Sequence, residues 1–140
     1  MKHIRKFILE SKSTVETEFK VLKSLHKLGL VDYSELIVHK YIISGSTGDL
    51  DLQGTQITEL PADLTVNGNL YLQGTPITSL PAGLTVNGNL YLEGTPIQSL
   101  PSDLKVGGYL DLTDTPIAEK YSRAQLKKMF PGVKGTIFII

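Results

Sequence analysis

Tyrosine, asparagine and acidic residues recur at a fixed spacing through the middle of the chain. Tyr71 and Tyr91 lie twenty residues apart, and each follows an asparagine by two positions and precedes Gln73 or Glu93 by two. Polar residues that alternate with leucines are typical of a strand with one buried side. Exposed tyrosines supply a large contact area with a polar tip, and neighbouring acids can pair with basic side chains. The predicted chemistry is therefore protein binding.

The candidate binding residues fall into three columns when units of twenty residues are superimposed. Neighbouring strands lie about 4.8 Å apart, so Tyr71 should stand beside Tyr91, with Tyr109 diagonal to them. The alternative is that these tyrosines are present only because they form strands well. The columns, in which every residue except Thr113 is a predicted partner-binding residue, are Asp49, Asn69, Asn89 and Tyr109; Asp51, Tyr71, Tyr91 and Asp111; and Gln53, Gln73, Glu93 and Thr113.

The residue types give little support for catalysis or metal binding. His3, His26 and His39 share no metal-ligand spacing, and the chain has no cysteine to act as a nucleophile or ligand. Asp51 and Asp111 would lie three strands apart, too far to act together on one bond. Solvent-facing carboxylates without an enclosing loop rarely hold a metal ion. We expect a protein that is not an enzyme, with no cofactor and no metal.

The elements that must position these columns are repeats. Three units of twenty residues begin with Leu-Pro at positions 60, 80 and 100, and a half-unit at 48–59 precedes them in the same register. Such a unit cannot bury its own apolar face, so neighbouring units must stack into a solenoid. We predict an α/β fold in which residues 48–118 form the solenoid with a parallel sheet, between a helical cap at 14–47 and a helix-plus-strand cap at 119–140.

Within a unit, the pattern predicts one strand and an extended return. Alternation over residues 86–93 indicates the strand, and Gly94 lets the chain turn after it. Thr95 can bond backbone groups at the turn, and threonines at the matching positions predict a side-chain ladder. Pro96 and Pro101 keep the return extended. Asn87-Gly88 is also a strong hairpin signal, but a hairpin would leave the Leu-Pro segment without a role, so we favour the solenoid.

The order Leu90-x-Leu92-x-x-Thr95-x-Ile97-x-x-Leu100-Pro101 resembles the short, twenty-residue form of the leucine-rich repeat family over about residues 48–118. Threonine stands at the family's usual asparagine position, so a side-chain ladder must be built differently here. The Thr-Pro-Ile variant looks most like repeats of bacteriophage proteins. The resemblance implies a protein-binding module, and in a phage one that binds and inhibits a host defence or regulatory protein. The alternative role is a virion-internal or self-associating structural component.

Residues 1–13 form a predicted tail in front of the helical cap. The segment 1–10, MKHIRKFILE, resembles the capsid-targeting peptides of internal head proteins in large tailed phages, which are cut after a Leu/Ile-x-Glu triplet. The resemblance implies cleavage after Ile8-Leu9-Glu10 and packaging in the virion. The competing interpretation is an amphipathic first turn or a frayed tail that is retained.

The predicted helical cap contains one clear element and one ambiguous element. Residues 14–28 predict a helix that is capped by Ser13 or Thr14 and ended by Gly29, with acidic residues in its first turn. Over 32–43, the capping-box spacing at the start favours a helix from 33 to about 42, whereas the isoleucines favour a strand. Either element would supply an apolar block able to cover one end of the solenoid.

The C-terminal cap begins with a capping box, Ser122-x-x-Gln125, which predicts a helix through about Phe130. Residues 135–140 then predict a strand that lies parallel to the last unit after a right-handed crossover. An apolar strand left exposed at a sheet edge invites pairing with a second chain. A homodimer through residues 135–140 is therefore an open alternative to a monomer.

Charge is unevenly distributed along the chain. Residues 48–118 contain one base against eight acids, a net charge of −7, whereas 1–47 carry eight bases against five acids (+3) and 119–140 five against one (+4). An acidic middle repels phosphate backbones and favours a basic protein partner. With no long apolar run, no secretory signal and no cysteine, we expect a cytoplasmic protein without a membrane or nucleic-acid partner.

Overall fold

The computed structural model describes residues 12–140, so the predicted targeting triplet at 8–10 lies outside the described residues. Contacts divide the chain into two compact units with the boundary between Thr47 and Gly48. In chain order the elements are α1 (Lys12–Lys27), α2 (Tyr33–Ile43), β1 (Leu50–Asp51), β2 (Thr65–Val66), β3 (Leu70–Tyr71), β4 (Thr85–Val86), β5 (Leu90–Tyr91), β6 (Lys105–Val106), β7 (Leu110–Asp111), α3 (Pro116–Lys120), α4 (Arg123–Met129) and β8 (Ile137–Phe138).

In the first unit, α1 ends as predicted but begins earlier. Gly29 adopts a φ of +74° and its N–H donates to the His26 carbonyl, which terminates the helix. The helix already includes Ser13 and Thr14, and its first turn contains no acid. The predicted cap was therefore wrong. Ser13 and Thr14 lie within the helix, so neither has the non-helical backbone of an N-cap residue.

Residues 33–43 are helical, which decides between the two interpretations of this segment. Asp32 caps α2, since its carboxylate accepts a hydrogen bond from the Ser34 N–H at 2.6 Å. Ser34, Val38 and Tyr41 are buried at helical spacing. The cap and this periodic burial outweigh the strand preference of the isoleucines, because strand propensity depends strongly on context.

The second unit is a solenoid of parallel strands in two sheets. One sheet has the strand order β1-β3-β5-β7-β8 and the other has β2-β4-β6. From β1 to β7, each strand pairs with the strand twenty residues further along, as in Leu70 with Leu90 and Thr85 with Lys105. The predicted solenoid with a parallel sheet is confirmed, and the hairpin alternative is wrong because every pair is parallel.

The single strand predicted over 86–93 is instead two short strands, one in each sheet. β4 and β5 are separated by a bend at Asn87–Asn89. Buried apolar residues lie on both sides of the bend, with Val86 before it and Leu90 and Leu92 after it. At the bend the backbones approach closely: the Gly88 N–H donates to the Gly68 carbonyl at 2.9 Å, and a Cβ on Gly88 would lie 2.7 Å from that oxygen. Glycine is required here because no side chain fits between the stacked coils.

Each coil buries its leucines and closes with a threonine turn. The Thr95 hydroxyl donates to the Leu92 carbonyl at 2.8 Å, and Gly94 before it has a φ of +71°. The same bond forms in every coil, which confirms that the threonines bond backbone groups at the turn. Each hydroxyl proton is used within its own coil and is not donated to a threonine of the next coil. The fully buried side chains of the solenoid include Leu52, Leu64, Leu70, Leu72, Ile77, Leu84, Leu90, Leu92 and Ile97.

The C-terminal segment contains one helix more than predicted. Ser122 and Gln125 form the predicted capping box at the start of α4. α3 was missed: Thr115 caps it and Pro116 occupies its first position. No Leu-Pro follows Thr115 to hold an extended return, unlike in the earlier coils. β8 lies parallel to β7 as predicted, although only two residues of 135–140 are in the strand.

No helix within residues 12–140 combines the length and the apolar character needed to cross a lipid bilayer.

We predict that Leu90→Ala lowers the free energy of unfolding by about 2–5 kcal/mol, because the side chain is fully buried between coils and a cavity would remain. Urea denaturation followed by circular dichroism measures the change. Gln98→Ala, an exposed position on the return of the same coil, is the control and should change stability by less than about 0.5 kcal/mol. Equal stability of the two variants would contradict the assigned core.

Candidate functional site

The exposed side of the five-stranded sheet carries the predicted binding columns. The second column is in direct register, since Asp51 pairs with Tyr71, Tyr71 with Tyr91 and Tyr91 with Asp111. The last step adds Phe138 beside Asp111. The sheet therefore brings together residues that lie up to 87 positions apart in the chain.

Four aromatic rings form a continuous row across this face, which we call the aromatic row: Tyr71, Tyr91, Tyr109 and Phe138. The first two rings are stacked, with centroids 4.9 Å apart and planes 3° apart. Tyr109 meets Tyr91 edge-on at 6.4 Å and Phe138 edge-on at 5.5 Å. Both arrangements are favourable for aromatic pairs. The side-by-side and diagonal placement predicted for the tyrosines is confirmed.

Phe138 is the member of the row that sequence reasoning missed. It was assigned only to an apolar edge strand, yet 38 % of its surface is exposed beside Tyr109. Residues 137–140 are all apolar, so no alternation marks which of them face the core; Phe138 faces the tyrosines because its neighbour Ile137 is buried. Residue register across the crossover at 112–136 is not given by the repeat, so the sequence alone did not place it.

The first column forms a hydrogen-bonded ladder, which we call the amide ladder: Asp49, Asn69 and Asn89. Each side-chain oxygen accepts from the backbone N–H twenty residues further on, at 2.7 Å from Asn69, 2.8 Å from Asn89 and 2.9 Å from Tyr109. Without it, these N–H groups at the bend would lack that partner. Side-chain hydrogen bonds between coils are therefore made here by asparagine and aspartate and not by the threonine hydroxyl groups.

The amide ladder also positions the tyrosines. The Asn69 amide nitrogen donates to the Tyr71 hydroxyl at 3.2 Å, and Asn89 donates to Tyr91 in the same geometry. A phenol oxygen that accepts one bond keeps its own O–H to donate. The ladder residues therefore support the surface, while their contact with a partner stays a prediction.

The carboxylates that flank the tyrosines are held by local turns. Asp51 accepts from the backbone N–H of Gln53 and Asp111 from that of Thr113, both at 3.0 Å. Glu93 and Gln53 are exposed at the third column, and Gln73 is half-buried between them. The face therefore combines a central row of rings with acids at its sides and no base in the three columns.

His26 and His39 belong to α1 and α2 of the first unit and are not part of the sheet that carries the columns. His26 has its Nδ1 3.0 Å from the Val31 carbonyl, and His39 is buried in α2. His3 lies outside the described residues. Within residues 12–140, no group of three or more histidines and acids is arranged to hold a metal ion.

Comparisons with family models, with curated proteins and with solved structures find no match to this chain. The resemblance to leucine-rich repeats therefore stays a prediction.

We predict that Asn89→Ala destabilises the solenoid by about 1–3 kcal/mol, because the Tyr109 N–H loses its acceptor and the Tyr91 hydroxyl loses its donor, at about 0.5–1.5 kcal/mol for each hydrogen bond. Amide hydrogen exchange should be faster at Tyr109, and urea denaturation gives the total loss. Asn89→Asp is the matched control for the ladder bond, since Asp49 already provides the same acceptor at the start of the ladder. If Asn89→Ala matches the wild type in both measurements, the amide ladder does not stabilise the sheet.

Proposed function

We propose that the protein binds another protein through the aromatic row, without catalysis. The observation that carries this proposal is the contiguity of four partly exposed rings across the sheet, with Tyr109 and Phe138 42 % and 38 % exposed. Isolated exposed apolar residues are normal on a protein surface, whereas contiguous aromatic patches are typical of binding sites.

The geometry supports binding in a second way, because the rings are already ordered. Tyr71 and Tyr91 stack on each other and accept hydrogen bonds from the amide ladder. A surface that is rigid before binding loses less conformational entropy when a partner docks. The phenol O–H groups are left to donate to acceptors on the partner.

Charge defines the class of partner. The eight acids of residues 48–118 stand against Lys105 alone, and Asp51 and Asp111 are in register with the stacked tyrosines. Such a surface attracts a protein with lysines and arginines and repels nucleic acid. The finer proposal, from the resemblance of the repeats and of residues 1–10, is a phage protein that inhibits a host defence or regulatory factor.

A self-associating or virion-internal component is the second candidate. Phe138 and Ile140 are 38 % and 96 % exposed near the C-terminal edge of the sheet. Exposed apolar residues beside a sheet edge favour pairing between chains.

We predict that Tyr71→Ala/Tyr91→Ala reduces recovery of the partner from bacterial lysate by at least about tenfold, because central tyrosines contribute a large share of binding energy. Quantitative mass spectrometry of proteins retained by the immobilised chain measures recovery, and titration calorimetry with the purified partner then measures affinity. Tyr71→Phe/Tyr91→Phe keeps the rings and removes only the hydroxyl groups, so its loss should be smaller.

The matched control for this experiment is Thr78→Ala/Gln98→Ala, which changes two exposed residues on the returning segments of the same coils. The control should retain the wild-type partners. Equal recovery by the control and by the tyrosine variant, both shown to be folded by circular dichroism, would exclude the aromatic row as the binding site. A dimer in sedimentation equilibrium that Phe138→Lys abolishes would favour the second candidate.

A further inference from the structure

The stacked pair of tyrosines has one ring face that no other ring of the aromatic row meets. Tyr71 and Tyr91 have their planes 3° apart and their centroids 4.9 Å apart, so their faces are directed along the sheet from strand to strand. On the outer side of Tyr91, the next strand carries Tyr109, whose ring stands edge-on at 6.4 Å. The outer face of Tyr71 is directed the other way, toward β1.

Asp51 is the neighbour of Tyr71 on that side. The two residues pair in register in the parallel ladder, so both side chains rise from the same level of the sheet. An aspartate carboxylate ends about where a tyrosine ring begins, so it is too short to cover the distal part of the ring face. Asp51 is itself exposed. The outer face of Tyr71 is therefore accessible to a side chain of a partner, with a carboxylate at its base.

Both groups are held in place by hydrogen bonds within the sheet face. The Asp51 Oδ1 accepts from the Gln53 N–H at 3.0 Å. A carboxylate has about four lone-pair sites, so this bond leaves capacity for a second donor. The Tyr71 hydroxyl accepts from the Asn69 amide at 3.2 Å, and its ring rests on Tyr91. A cation that enters meets a ring face and a negative charge that are already ordered, which reduces the entropic cost of binding.

We propose that the outer face of Tyr71 and the Asp51 carboxylate together bind an arginine side chain of the protein partner. This site lies at the β1 end of the aromatic row, so it rests on the proposed function, in which the row binds a protein. A guanidinium group is planar, stacks on aromatic faces and carries its N–H donors at its edge. When the group stacks on Tyr71, that edge can point down the ring toward the carboxylate.

Arginine suits this geometry better than lysine does. An ammonium group is a compact, strongly hydrated point charge, whereas a guanidinium group can stack on the ring and donate to the carboxylate at the same time. The other end of the stacked pair lacks this combination. Asp111 is in register with Tyr91, but Tyr109 already meets Tyr91 on that side. The two ends carry the same charge and differ in the open ring face, so one end provides the control for the other.

The test titrates the tripeptide acetyl-Gly-Arg-Gly-amide into the isotope-labelled protein at constant ionic strength and follows binding by NMR. The largest shift changes should occur at Asp51, Gln53 and Tyr71, with nuclear Overhauser effects between the arginine methylene protons and the Tyr71 ring. The same tripeptide with citrulline keeps the planar end group without its charge, and the one with lysine keeps the charge without the plane. Each should bind about threefold or more weakly than the arginine peptide.

Two variants of the protein test the role of the carboxylate. Asp51→Asn should weaken binding of the arginine peptide about threefold, because it removes the charge while its amide oxygen can still accept from the Gln53 N–H. Asp111→Asn is the matched control, since it removes the same charge from the same sheet face, at a carboxylate that accepts from the Thr113 N–H at the same distance of 3.0 Å. The control should retain wild-type affinity within about 1.5-fold. Tyr71→Leu should abolish the Overhauser effects to the ring and weaken binding even where Asp51 is intact.

Three outcomes would each overturn the arginine site: equal affinity for the arginine and citrulline peptides, equal losses in the two asparagine variants, or an absence of shift changes at Tyr71. The proposed function fails in a different measurement, when Tyr71→Ala/Tyr91→Ala still recovers the wild-type partners from lysate. If that variant loses the partners and Asp51→Asn recovers them in full, the aromatic row stands as the binding surface and the arginine site is rejected.

Discussion

Parallel pairing at a displacement of twenty residues holds each coil of the solenoid on the next. The pairing satisfies backbone hydrogen bonds in two sheets and, at the same time, superimposes buried leucines such as Leu70 and Leu90. Neither contribution is available to a single coil, because one coil has no neighbour to cover its apolar side or complete its ladder. The side chains on the outer face inherit the same register, so every surface column follows from this one constraint.

The bend between the two sheets is where this constraint is most demanding. Backbones approach within hydrogen-bonding distance at Gly68 and Gly88, and the amide ladder completes the bonds that the bent backbone cannot make. Asn89 makes two bonds: its side-chain oxygen accepts from the Tyr109 N–H, and its amide nitrogen donates to the Tyr91 hydroxyl and so orients that ring. The stability of the bend and the order of the aromatic row are consequently linked through the same side chain.

Two surfaces of opposite charge result at different parts of the same sheet. The tyrosines stand among acids on the sheet face, whereas Arg123, Lys127 and Lys134 belong to the basic segment that follows the repeats. Electrostatic complementarity contributes to specificity and to the rate of association. The separation of charge along the chain, which is visible in the sequence, therefore becomes a separation in the fold between the acidic sheet face and the basic C-terminal segment.

The solenoid, its period and the column of Asp51, Tyr71 and Tyr91 could be predicted from the sequence, because a strict repeat places equivalent residues in equivalent positions. The C-terminal capping box could also be predicted, since it depends only on residues three apart. Three features became visible only in the folded chain: the division of each predicted strand at its bend, the amide ladder, and the place of Phe138. These depend on the direction of the backbone and on register across a non-repeating crossover, and no local pattern encodes either.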